Sequence, residues 1–132
     1  MQNQEALSIA STFLRLRSDA SIEPLPVNET FWPRLISGEL GTFHNEFLVS
    51  FYAFDADWPT WEKHPNGDEI GCLLAGSVTF VFEHDTGHRK VTLEESGAFA
   101  VIPKDTWHTA KVHRASRMLF ITAGEGTQIR PA

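Results

Sequence analysis

An all-β domain, a sandwich or barrel of antiparallel strands with a helix at its N-terminal end, is the architecture this sequence predicts. Two observations predict it. From residue 45 onward, short runs of β-branched and aromatic residues recur at close spacing with turn residues between them, as in sandwiches and barrels. Before residue 45 the texture differs, with one helical periodicity and a proline-stiffened connection, and no repeat, low-complexity segment or long linker divides the chain. At 132 residues there is room for one core and not for two. Residues 1–44 are therefore expected to pack on a barrel formed by 45–132, in one structural domain.

Taken in order, residues 4–17 place Ala6, Ile9, Ala10, Phe13 and Leu16 at spacings of three and four, which predicts an amphipathic helix. Pro24 and Pro26 then enforce an extended connection. Residues 28–38, NETFWPRLISG, hold a short helix that Gly38 ends. Strands are predicted at 46–54, 70–74, 78–83, 90–93, 98–102, 107–112 and 118–122, separated by Gly76, Asp85-Thr-Gly87, Ser96-Gly97, Pro103 and Gly124. Exposed sheet edges and an apolar helix face predict a homodimer.

Composition excludes several function classes. With 42% hydrophobic and 21% charged residues the chain reads as an ordinary globular protein, and no run of about 18 apolar residues could span a membrane. The start, MQNQEALSIASTFLRLR, lacks the basic and continuously apolar stretches of a secretory signal. The single cysteine, Cys72, is expected to be an inert buried thiol and fits a reducing compartment, so a cytoplasmic location is expected. A net charge of -6, with eleven scattered Lys and Arg, argues against nucleic acid and leaves a small-molecule partner.

The chemistry concentrates in WEKHPNGDEIG, residues 61–71. In a strand, Glu62 and His64 project from one face. Asn66-Gly67 is a preferred centre for a two-residue hairpin, which would set His64 opposite Glu69 and Glu62 opposite Gly71. Two buried carboxylates beside a histidine repel one another and cost several kcal/mol to desolvate unless a cation compensates. A divalent metal is the simplest remedy. The best-placed further ligand is His108, in IPKDTWHTA, residues 102–110, where Pro103 stops one strand and Asp105-Thr106 makes the corner.

Together these segments resemble the two motifs of the cupin superfamily, whose members are small jelly-roll barrels (double-stranded β-helices). The family's first motif runs His-x-His, three or four residues, Glu, six residues, Gly; here it reads Glu62-Lys-His64, four residues, Glu69, six residues, Gly76. The second runs Gly, five residues, Pro-x-Gly, two residues, His, three residues, Asn; here it reads Gly97, five residues, Pro103-Lys-Asp105, two residues, His108, with Val112 at the last position. The resemblance covers residues 45–123. It departs at Glu62, which stands where the family has its first histidine, at Asp105, and at Ala56, where a glycine is usual six residues ahead of the first ligand.

The resemblance implies one divalent ion, Fe, Mn, Ni or Zn, held by His64, Glu69 and His108, with Glu62 either a fourth ligand or a catalytic base beside a three-ligand site. His44, His84, His88 and His113 lack the spacing, and His84 and His88, which flank the Asp85-Thr-Gly87 turn, are read as solvent-exposed, while Trp61 and Trp107 should point to the opposite face. Phe51, Phe80, Phe99, Met118 and Phe120 are the expected inward wall of an apolar substrate pocket. Two functions are implied: a metal-dependent enzyme acting on an organic acid, sugar or aromatic (oxygenase, isomerase or lyase), or a non-catalytic binding or sensing module.

Overall fold

A computed structural model describes residues 5–132. Nine strands and one short helix follow in the order β1 (Thr12–Leu16), β2 (Ile22–Pro26), α1 (Phe31–Ile36), β3 (Phe47–Phe54), β4 (Thr60–Lys63), β5 (Glu69–His84), β6 (Gly87–Leu93), β7 (Phe99–Ile102), β8 (His108–Thr122) and β9 (Gln128–Pro131). Every pairing among them is antiparallel. Among the described residues no helix is long and apolar enough to cross a membrane.

The two long strands organise the barrel. β8 pairs with β3 along Leu48↔Thr122 to Phe54↔Ser116, and with β5 along Glu69↔Thr122 to Phe82↔His108. Both strands pass through a corner where the β5–β8 register shifts between Leu73 and Val78. Gly76 occupies that corner with φ +107, and a Cβ there would lie 2.2 Å from Ser116 Oγ and 2.6 Å from Ala115 O. Such an irregularity bends a sheet without ending it. The predicted pairs 70–74 with 78–83, and 107–112 with 118–122, are for this reason each one bent strand.

Of the helix predicted over 4–17, residue 4 lies outside the described residues and 5–17 are not helical: Thr12–Leu16 is β1. Its burial alternates with period two, Phe13 and Arg15 facing inward, and it pairs with β2 on one side and β3 on the other. The helical spacing loses because β3 offers a ladder of backbone partners that an isolated helix could not match. β2 pairs with β1 alone, and this outer position tolerates Pro24 and Pro26. The helix expected within 28–38 is α1, which buries Phe31 and ends at Ser37 before Gly38.

Two apolar clusters result. Leu73, Val78, Phe80, Met118 and Phe120 belong to the barrel cluster, and Phe13, Leu25, Phe31, Phe43 and Leu48 form a second one between the β1–β2 hairpin and α1. Leu74, Phe99 and Val101 are exposed.

Candidate metal centre

The Asn66-Gly67 hairpin is not formed. β4 pairs with β9 along its length and meets β8 at Glu62↔His108, with no ladder to β5. Neither Asn66 nor Gly67 adopts the positive φ that the tight turn requires. Asn66 instead donates to Glu125 O at 2.8 Å, and Gly67 is needed for proximity, since a Cβ there would lie 2.5 Å from Ala123 Cβ. The loop is tied to the second motif as well: Asp105 N donates to His64 O at 2.9 Å and Lys104 N to Asp68 Oδ1 at 2.8 Å. Gly71 faces not Glu62 but Phe80 and Phe120, whose ring atoms would stand 2.8 and 3.2 Å from a Cβ.

The convergence predicted for the four residues is nonetheless present, by another route. Glu62 and His108 are direct cross-strand neighbours on β4 and β8, His64 follows β4, and Glu69 begins β5. Glu62, His64 and His108 each offer a ligand atom, all within 4.8 Å of one another, a set able to hold a metal ion. Glu69 Oε1 stands 3.4 Å from His64 Nε2 and 3.2 Å from His108 Nε2, and Glu62 Oε1 lies 3.7 Å from His64 Nε2.

His64, His108 and Glu69 are each anchored on the far side. His64 Nδ1 contacts Thr127 Oγ1 at 2.9 Å, and that hydroxyl donates to Gly124 O, so it accepts from the imidazole. His108 Nδ1 donates to Thr106 O at 3.1 Å. Thr122 Oγ1 donates to Glu69 Oε2 at 2.5 Å. With Nδ1 protonated in both rings, each Nε2 presents a lone pair to the centre, the tautomer that a metal ligand needs. His64 Nε2, His108 Nε2 and Glu69 Oε1 are buried without a hydrogen-bond partner. Buried polar atoms without partners are rare and costly, and three converging on one point fit a cation.

Electrostatics agree with the crowding. Burial pushes the Glu62 carboxyl upward, and the neighbouring Glu69 charge pushes it further. Burial acts the same way on Glu69, but the two imidazoles beside it more than reverse this and hold it down at about 2. For His108, burial disfavours the charged ring, yet contact with Glu69 raises it overall. In metal-free protein the Glu69 contribution to stability is therefore full above the ordinary value of 4.5 and lost as pH falls through about 2. The His108 contribution is full below 6.5 and lost as pH rises through the raised folded value. Ion-loaded protein should behave oppositely near neutrality, because neutral imidazole is the binding form. From about pH 8 to about pH 6 we expect the melting temperature of chelated protein to rise and that of loaded protein to fall. Parallel shifts in the two forms would contradict a shared ion.

A cavity of about 1020 Å³ leads from this centre to the surface between the two apolar clusters. Its walls include Tyr52, Phe54, Trp58 and Phe120, with Trp32 and Ile36 of α1 at the mouth. Burial pushes the Tyr52 hydroxyl well above its ordinary value, so it stays a neutral donor. Of the predicted wall residues only Phe120 lines the cavity. Phe80 and Met118 are enclosed in the barrel cluster, and Phe51 is half-buried under the Arg117 guanidinium, 5.3 Å from its ring centroid. Phe99 is 60% exposed, because Ala100 and Ile102 take the inward positions of β7. On β3 the wall residues are Ser50 and Tyr52, which flank Phe51. Where consecutive residues are both apolar, alternation alone does not say which faces inward. Trp61 and Trp107 lie outside the site, with Arg130 over both rings. Cys72 is half-buried. The anchors Thr106, Thr122 and Thr127 had no sequence signal, since each acts from a loop or strand end brought up only by folding.

No family model matches the sequence, and no curated protein matches it. Among solved structures, an oxalate decarboxylase from Bacillus subtilis aligns with TM-score 0.52 at 13% identity, over 64% of this chain and 23% of its own. Peruvianin-I, a cysteine peptidase from Thevetia peruviana latex, aligns with TM-score 0.52 at 13% identity, over 64% of this chain and 56% of its own. A cupin-2 domain protein from Shewanella frigidimarina aligns with TM-score 0.49 at 19% identity, over 67% of this chain and 74% of its own. A decarboxylase and a peptidase on one scaffold illustrate that such likeness carries architecture and not activity. With the bent antiparallel barrel, the two alignments at TM-score 0.52 show the fold of this chain, a cupin-type jelly-roll barrel.

Proposed function

We propose that this chain is a metal-dependent enzyme, in which His64, Glu69, His108 and Glu62 hold one divalent ion at the inner end of the cavity and a small organic molecule is transformed there. The observation that carries the reading is the set of three unpartnered buried atoms, His64 Nε2, His108 Nε2 and Glu69 Oε1, each with its other side anchored by a hydroxyl or carbonyl. Imidazole nitrogens with carboxylate oxygens suit Fe, Mn, Ni or Zn. The oxalate decarboxylase that shares this fold has been studied for its Mn(II) centres, which supports an ion of this class in such a barrel. When bound, the ion would supply a Lewis-acid or redox centre with coordination positions left for a ligand.

The chain's own residues set the conditions for that chemistry. Thr127 and the Thr106 carbonyl fix the two imidazole tautomers, Thr122 orients Glu69, and the aromatic walls exclude water. Glu62 differs from the others in being partly open, with 31% of its side chain exposed, and it lines the cavity. It is read as the fourth ligand. Glu62→Gln should weaken ion retention at least about tenfold, measured by metal analysis after dialysis against a graded chelator. Undiminished retention with lost turnover would make Glu62 a base instead, and no change in either would remove it from the site.

A further inference from the structure

The charge of the cavity lining points to the kind of molecule it accepts. Asp55, Asp57, Glu62, Glu69 and Glu125 line it, and among the described residues no Lys or Arg does. Asp57 is partly compensated by Lys111 at 3.7 Å and by the Val112 N–H, and Glu125 by His44 at 3.1 Å. Asp55 has no cation within ion-pair distance among the described residues. A divalent ion held between Glu62 and Glu69 would be matched by their two charges, so the net charge of the loaded cavity comes from Asp55, Asp57 and Glu125. Arg and Lys are the side chains that pair with carboxylates and phosphates. This cavity has neither to offer.

The walls supply the other half of the selection. Trp32 stacks on Tyr52 at 5.7 Å and 26°, Tyr52 on Phe54 at 5.7 Å and 21°, and Phe54 meets Trp58 at 5.5 Å. This row of rings runs from the mouth toward the centre, and the cavity volume suits a ligand of at least one aromatic ring. We infer that the cavity binds an aromatic cation of the arylalkylamine type, accepts its neutral counterpart less well and rejects the corresponding carboxylate. The aromatic row takes the apolar body, while the acidic lining holds the ammonium electrostatically. The inference rests on the metal reading only for the state of Glu62 and Glu69.

Three probes of one size test it: 2-phenylethylamine, 2-phenylethanol and phenylacetate, titrated calorimetrically into the full chain, both ion-loaded and chelated. In the chelated form, where the lining charge acts alone, the amine is expected to bind at least about tenfold more tightly than phenylacetate, with the alcohol between them and the preference shrinking as salt is added. Asp55→Asn should narrow the preference about threefold without loss of bound ion. Phenylacetate binding as tightly as the amine to the chelated chain, or no binding of any probe at millimolar concentration, overturns the inference. A chain that takes up no ion yet prefers the amine refutes the metal reading alone, and one that holds an ion yet prefers phenylacetate once chelated refutes the charge selection alone.

Discussion

Glu69→Gln protein, purified without a histidine tag, is expected to retain less than about a tenth of the divalent ion carried by the wild-type chain, and His108→Ala protein no more than that. Glu69 is 4% exposed and its Oε1 is within 3.4 Å of both imidazole Nε2 atoms, so its charge sits where the two rings converge. Gln keeps the side-chain volume and can still accept from Thr122, so loss of ion would reflect lost charge and not a collapsed core. His108 is 0% exposed, and the Ala variant leaves a cavity that costs stability in addition. The pair of variants separates the two effects. Elemental analysis of both proteins at equal purity is the measurement, and wild-type ion content in folded Glu69→Gln protein would refute a shared metal.

Gly76→Ala should be the most damaging single-methyl change in the barrel, costing about 3 kcal/mol or more, or roughly 10 °C in melting temperature. Two terms add. The backbone there has φ +107, which side chains rarely adopt, and the new Cβ would lie 2.6 Å from both Ala115 O and Ser116 Cα, backbone atoms that cannot swing aside. It would also displace Ser116 Oγ, which accepts from Ser77 N at 3.0 Å and helps close the corner. Gly38→Ala is the control: φ is +82 but nothing lies within 4 Å, so only the conformational term, about 1 kcal/mol, applies. Thermal unfolding of the two variants compares them directly. Equal losses would mean that the close approach at Gly76 is not what bends β5 and β8.

Much was decided by the sequence alone. The positions of most strands in 46–122 were legible because β-branched and aromatic runs bounded by Gly, Pro and Asp are local signals. The four candidate ligands were legible because their chemistry is costly to bury and their spacing matches that of one family, with Glu62 still beside His64 despite the substitution. What the local pattern could not carry was partnership. Phe13 and Leu16 satisfy a helix and a strand equally, and only the open ladder of β3 chose the strand. Asn66-Gly67 satisfies a tight hairpin, but hydrogen bonds to the loop at Glu125 and to the corner at Asp105 chose a different loop, and so brought β9 rather than β5 to the side of β4. Phe51 and Phe99 were assigned inward because apolar neighbours leave the phase of alternation open, and that phase is set by pairing with β8 and β5. The remaining residues of the candidate site, Tyr52 and Trp58 in the wall and Thr106, Thr122 and Thr127 behind the candidate ligands, come from separate strands and loops. Their roles depend on long-range register, a property of chain segments far apart in sequence that no local pattern encodes.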